Sequence, residues 1–276
     1  MTYVIAHRGL RNEKPENSLD AISAALSLPA LHGVEFDVEL TRDGALVVLH
    51  QETLVPNEEF TKIELASRDF VSRDWVGNAL VEDVLNLDAG SWMDSQFART
   101  RVPALRDVLG LQWGQATAYV ELKDATYWGK QDLSRPAQVV DAAISHLTAF
   151  SGLVDVISFN PEILRLLQSR APSIPTTLAL WTEWRWRIGD AMIEATRCGA
   201  STISLPDTMI LEDPQWVTAA RTSALKIHAY PVSPARGEPE FASWTPESQA
   251  HKWQRLQQLG VDGILSDFAR ETLKAL

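Results

Sequence analysis

The sequence predicts an α/β protein whose βα units surround a parallel sheet or barrel. Three observations carry this reading. Short β-branched runs alternate with longer amphipathic stretches from end to end, several helical stretches open on a capping residue followed by proline, and four strand candidates end in ionisable residues. Such alternation suits a sheet whose faces are covered by helices.

Strands are expected near Tyr3 to Ala6, Val34 to Val38, Ala45 to Leu49, Ala118 to Leu122, Val154 to Ser158, Thr176 to Leu180, Thr202 to Leu205, Leu225 to Tyr230 and Gly263 to Leu265. That is one more than a closed eightfold barrel needs. The second and third are joined only by TRDG at 41 to 44, whereas a parallel crossover takes about a dozen residues. A hairpin turning at Asp43-Gly44 is therefore expected, with Glu35 and Asp37 brought close to His50. The alternative leaves one of the nine outside the barrel.

Helices are expected at Ser18 to Leu28, Ala104 to Gln112, Pro136 to Thr148, Pro161 to Arg170, Arg185 to Cys198, Pro214 to Thr222 and Pro246 to Leu259. Asn160, Asp213 and Thr245 each precede a proline and read as N-caps. From Gln51 to Val102 the pattern weakens over a span far longer than the two to six residues usual for a barrel connection. That span reads as a subdomain over the barrel mouth. The Pro-rich segment 231 to 241 reads as a loop.

With 276 residues, 45% of them hydrophobic, the chain suits one domain over 1–276, since α/β barrels run at about 250 residues. A formal net charge of -11 and a pI near 5.0 speak against nucleic acid or an anionic membrane surface as partner. A small-molecule substrate fits better, and self-association into a homo-oligomer stays open. Cys198 is the sole cysteine, which excludes an internal disulfide and a thiolate-rich metal cluster. The start MTYVIAHRG lacks the parts of a secretory signal, and no apolar run is long enough to span a bilayer. The expectation is a cytoplasmic protein without stable membrane insertion.

The chemistry gathers at strand ends. AHRG at 6 to 9 closes the first strand with His7 and Arg8, and Gly9 allows a sharp turn beside a ligand. Glu35 and Asp37, two residues apart, share one face of the second strand, with Val34, Phe36 and Val38 on the other. VVLH ends the third at His50, and YVELK ends the fourth with Glu121 and Lys123, again two apart. Three carboxylates against Arg8 and Lys123 leave one negative charge, which a divalent cation would reverse. An all-oxygen ligand set suits Mg²⁺ or Ca²⁺.

In order and spacing, AHRG, PENS at 15 to 18, GVEFDVELTRDGALVVLH at 33 to 50 and YVELK resemble the glycerophosphodiester phosphodiesterases, among the phospholipase-C-like barrel phosphodiesterases. DAGSWMD at 88 to 94, VPALRDVL at 102 to 109, ISFNPEILRLL at 157 to 167 and GVDGILSD at 260 to 267 are similar too, so the resemblance spans nearly the whole chain. It implies an irregular TIM (β/α)8 barrel with a small inserted subdomain. It also implies hydrolysis of a glycerophosphodiester to glycerol phosphate and an alcohol. Glu35, Asp37 and Glu121 would hold one divalent metal ion, His7 and His50 would be the acid/base pair, and Arg8 and Lys123 would grip the phosphate. The residues do not say which histidine is the acid.

Two stretches depart from the family pattern. His50 is followed by Gln51 to Pro56 in place of Asp and a Leu-x-Arg-Thr-Thr stretch, and HAYPV at 228 to 232 replaces a Trp-Thr-Val-Asn strand. Both fall where the alcohol or glycerol part would sit. Among ten tryptophans, Trp181 and Trp128 follow strands and, with Tyr230, are candidates for the substrate pocket. A sugar phosphodiester of the agrocinopine type is thus an alternative substrate, and lyase or transferase chemistry an alternative reaction. Trp113, Trp216 and Trp253 read as core, Cys198 as a small buried hydrophobe, and Glu183, Arg185 and Arg187 as a solvated helix start.

Overall fold

The structure, a computed structural model, describes residues 2–50, 76–123, 135–181, 187–234 and 239–276. Its strands are β1 (Tyr3–His7), β2 (Gly33–Leu40), β3 (Leu46–Val48), β4 (Thr117–Leu122), β5 (Leu153–Ser158), β6 (Thr176–Ala179), β7 (Thr202–Pro206), β8 (Lys226–Tyr230) and β9 (Gly263–Ser266). All nine expected strands are present, with ends shifted by a residue or two. Eight of them close a parallel barrel: β1 pairs with β9 on one side and, through Ile5↔Gly33 to His7↔Glu35, with β2 on the other. The ninth, β3, pairs antiparallel with β2 through Val38↔Val48. The short TRDG link thus makes a hairpin, with Gly44 in the left-handed region at φ 82° as this turn favours.

The helices are α1 (Leu19–Leu26), α2 (Val81–Leu85), α3 (Leu105–Leu109), α4 (Arg135–Ala149), α5 (Pro161–Arg170), α6 (Ile188–Arg197), α7 (Asp207–Glu212), α8 (Gln215–Thr222), α9 (Pro246–Leu259) and α10 (Ala269–Ala275). Asn160 caps α5 by accepting from Glu162 N at 2.9 Å, and Thr245 and Ser248 cap α9 reciprocally. Asp213 accepts from Gln215 N at 3.0 Å, although α8 begins one residue beyond the expected proline. The short helices α2, α7 and α10 were not expected from the sequence, and the helix expected at Ala104 to Gln112 is confined to Leu105–Leu109.

Alternation along the strands divides the protein into two layers. Val34, Phe36, Val38, Val120, Leu122 and Val156 face outward into a core shared with the helices, where Trp113, Trp216 and Trp253 also lie. Ile5, Tyr119, Ile157, Ala179, Tyr230 and Leu265 form a separate cluster inside the barrel. Every residue of β2 is buried, because a barrel strand is covered on both faces. Cys198 is buried and free.

Of the expected insertion, 51–75 lies outside the described residues. Within 76–102, Val76, Ala79, Val84, Ala89 and Val102 pack on Val47 and Leu49 of the hairpin. Lys14 of the β1–α1 loop lies over the Phe97 ring, 5.9 Å from its centroid, so this segment also borders the mouth of the barrel.

Candidate active site

The site begins with the turn after β1. Arg8 and Gly9 both take left-handed backbone conformations, at φ 58° and 82°, and a Cβ on Gly9 would sit 2.6 Å from the carbonyl carbon of Ala21. Only glycine lets the chain pass α1 this closely. The turn points Arg8 N at Glu35 Oε2, 3.1 Å away. It also returns the chain so that PENS meets the strand ends: Ser18 caps α1, and Asn17 accepts from Asp37 N while donating to Asp37 Oδ2 at 2.8 Å.

Glu35, Asp37 and Glu121 project into the mouth from β2 and β4, where Asp37 and Glu121 are register partners. Each offers an oxygen, and these atoms all lie within 4.8 Å of one another. Arg8 Nε is 3.0 Å from Asp37 Oδ2, Lys123 Nζ is 2.7 Å from Asp37 Oδ1, and Lys123 also pairs with Glu121. Burial would raise all three carboxylates. At Asp37 the cations Arg8 and Lys123 overcome it and hold the group well below the usual carboxylate range. Glu35 is left well above that range by burial and by its neighbours Asp37 and Glu121, and Glu121 is raised mainly by burial. Glu35 Oε1 is buried without a hydrogen-bond partner. An unpaired buried oxygen among three converging carboxylates is a place for a hard cation.

His7 and His50 flank this group. His7 Nδ1 lies 2.6 Å from Asp267 Oδ1, and its Nε2 lies 3.8 Å from Glu35 Oε2. Leu49 N bonds to Asp37 O at 3.1 Å, which seats His50 at the end of the hairpin, within the fields of Arg8, Lys123 and Asp37. Burial first, and the nearby cations next, lower both histidines, His50 by more. All seven expected residues, His7, Arg8, Glu35, Asp37, His50, Glu121 and Lys123, therefore meet at one end of the barrel.

The structure adds residues that sequence reading did not single out. Glu16 binds Arg8 Nη1 at 2.7 Å and Arg11 Nη2 at 2.7 Å, and Arg11 Nη1 reaches Asp267 at 3.0 Å. Glu16 and Asn17 were signalled by PENS and Asp267 by ILSD, but short polar motifs do not disclose which strand end they serve. Phe159 was missed as well. Lys123 Nζ lies 5.9 Å from its ring centroid, and Trp181 and Tyr230 meet it edge-on at 5.8 and 6.0 Å. Tyr230 donates its hydroxyl to Leu180 O at 2.6 Å and is buried, whereas Trp181 is half-buried. Trp128, Glu183 and Arg185 lie outside the described residues. Arg187 is exposed and pairs with Asp190.

Residues 7–271 match the glycerophosphoryl diester phosphodiesterase family. The chain is 25% identical over 272 residues to a glycerophosphodiester phosphodiesterase of Bacillus subtilis, covering 96% of this chain and 83% of that protein. It is 28% identical over 277 residues to one of Caldanaerobacter subterraneus, covering 96% and 94%. The crystal structure of a glycerophosphodiester phosphodiesterase from Agrobacterium tumefaciens is 26% identical, covers 98% of this chain and all of that one, and superposes with a TM-score of 0.66. The polar group at the barrel mouth is thus carried by a chain that belongs to the glycerophosphoryl diester phosphodiesterase family, whose members are phosphoric diester hydrolases.

Proposed function

We propose that the protein hydrolyses a glycerophosphodiester to glycerol phosphate and an alcohol. One divalent cation, Mg²⁺ or Ca²⁺, is held by Glu35, Asp37 and Glu121, and His7 and His50 carry the protons. The observation that supports this most is the buried carboxylate cluster with an unpaired Glu35 Oε1, next to a histidine that Asp267 holds by its other nitrogen.

When bound, the cation supplies Lewis-acid neutralisation of charge on the phosphoryl oxygens, worth several kcal/mol by general precedent. The remaining steps belong to side chains. His7 donates Nδ1–H to Asp267, so Nε2 carries the lone pair and accepts the proton of the attacking hydroxyl or water. His50 completes the pair by returning a proton to the leaving alkoxide. Arg8 and Lys123 orient the non-bridging oxygens, Arg8 as a planar fork and Lys123 as a point charge.

The charge balance differs from the sequence-based one because Glu16, Asp267 and Arg11 join the site. Five carboxylates against three cations leave two negative charges, which a divalent ion neutralises. The anionic diester is then no longer repelled.

A second reading is supported by the wall of Phe159, Trp181 and Tyr230 beside Lys123, since aromatic faces suit a sugar. In that reading the substrate is a sugar phosphodiester of the agrocinopine type. A panel of glycerophosphodiesters and sugar phosphodiesters, treated with EDTA and then with Mg²⁺ or Ca²⁺, tests both. Metal-restored release of glycerol phosphate supports the first and turnover confined to sugar diesters the second. A cyclic phosphate or new diester as final product overturns hydrolysis in favour of lyase or transferase chemistry. Full activity in EDTA overturns the metal assignment.

A further inference from the structure

Asp267 is 95% buried just beyond β9, and both of its oxygens are engaged. Oδ1 accepts from His7 and from Arg11. Oδ2, the oxygen turned away from His7, accepts from Trp244 Nε1 at 3.1 Å and from Ser233 Oγ. Ser233 follows β8, and Trp244 immediately precedes Thr245, the cap of α9. Two donors from the chain beyond β8 thus converge on the oxygen of Asp267 that does not bind His7.

Trp244 packs against the helical core and also makes polar contacts. It lines a cavity with Asp207, Gln249 and Trp253. On the ring, Lys252 Nζ lies 5.0 Å from the centroid, and Asp207 Oδ2 fixes that ammonium at 3.1 Å. Core packing together with the Lys252–Asp207 pair fixes the indole plane, and the indole N–H holds the carboxylate.

We propose that Trp244 and Ser233 are positioning residues for the reaction. By anchoring Asp267 Oδ2 they prevent the carboxylate from turning about its Cβ–Cγ bond, which keeps Oδ1 on His7 Nδ1 and aims Nε2 at the reacting proton. Without them Arg11, a stronger charge partner than a neutral imidazole, draws the carboxylate away from His7. Outer-shell groups that orient metal-ligating histidines commonly matter by about 10- to 100-fold, and an effect of the same order is expected for the orientation of His7. This proposal rests on His7 as a proton carrier, as set out above.

The test is a set of variants assayed for kcat, KM, calorimetric Mg²⁺ binding and the proton resonance of His7 Nδ1–H. Trp244→Phe keeps the ring and deletes the donor, and Ser233→Ala deletes the other. Each is expected to lower kcat by about 10-fold, leave KM and Mg²⁺ affinity within about twofold, and shift the Nδ1–H resonance. In an Asp267→Asn background, itself lowered by about 100-fold, both substitutions become silent. Losses of equal size in both backgrounds, or an effect confined to KM, overturn the proposal in favour of general packing. Unchanged kcat in both single variants overturns it directly. Activity retained in His7→Ala would instead remove the reading of the site on which it rests, so the two failures are distinct.

Discussion

Two groups of buried ionisable residues line the same barrel, one at the C-terminal ends of the strands and the other toward the N-terminal ends. At the mouth, opposite charges hold three groups ionised: Arg8 and Lys123 are raised by Asp37 and their other carboxylate neighbours against burial, and Asp37 is lowered. Glu35, Glu121 and the two histidines are shifted toward their neutral forms. In the floor, charges are suppressed. Asp155, with Thr177 Oγ1 at 2.7 Å, is pushed by burial up to about 6, and His228, against Tyr119 and Gly263, is pushed by burial down to about 3. The same low-polarity interior thus gives a reactive surface where opposite charges converge, and neutral packing where each group stands apart.

The widest separation between the two regions is expected in turnover. His7→Ala or His50→Ala is expected to lower kcat by about 10²- to 10⁴-fold while the fold stays intact. Steady-state kinetics with thermal melts check this, and near-normal rates in both variants would sink the mouth as the reaction centre.

The next effect belongs to the floor and appears in stability. The folded pKa of Asp155, about 6, lies above its ordinary value of 3.8, so the folded state favours the protonated form. The contribution is present in full below pH about 4 and is lost as pH rises toward 6, by about 3 kcal/mol at about 1.4 kcal/mol per unit. Asp155→Asn is therefore expected to be more stable than the parent at pH 7, with a gain that shrinks toward pH 4, and with kcat unchanged. Denaturant titrations at several pH values give the difference. A gain of constant size across that range would show that the carboxyl is not the titrating group.

How far this contrast was legible in the sequence depended on repetition. Glu35, Asp37, Glu121 and Lys123 stand two apart on apolar strands, so the inward face of each strand end announced itself, and TRDG was too short for a parallel crossover. Asp155, Tyr119 and His228 are single polar residues in apolar runs, and nothing local distinguishes an inward position from a solvent one. Their grouping depends on barrel register, as in Tyr119↔Asp155 and His228↔Gly263. Glu16, Asn17 and Asp267 were visible only as parts of motifs. Their partners are set by the left-handed turn at Arg8 and by a fold that brings Asp267 within 2.6 Å of a residue 260 positions away.

Within the mouth itself, function and stability are expected to pull apart at Glu35. Its carboxylate is buried beside Asp37 and Glu121 and has one oxygen without a partner. Glu35→Gln removes that repulsion, so the metal-free variant gains about 1 kcal/mol over the metal-free parent, as relief at strained functional sites commonly gives. It also loses most of the stabilisation that Mg²⁺ gives the parent, about 2.7 kcal/mol at a hundredfold excess over Kd. Calorimetric melts with EDTA and with Mg²⁺ separate the two effects. Equal Mg²⁺ stabilisation of parent and variant would remove Glu35 from the ligand set.

The smallest expected effect concerns the aromatic wall, which is neither charged mouth nor neutral floor. Trp181 is half-buried against Phe159, whose ring lies 5.9 Å from Lys123 Nζ, so a substituent on a phosphate held at Lys123, as proposed, would reach toward it. Losing one aromatic face removes about 1 kcal/mol of contact, or about fivefold in affinity. Trp181→Ala is thus expected to raise KM by about fivefold for the diester it prefers while leaving kcat nearly unchanged, since no proton passes through the indole. If KM rises for sugar diesters alone, the wall selects a sugar. An equal rise for every diester makes it a general wall of the site, and an unchanged KM throughout assigns Trp181 to packing with Phe159.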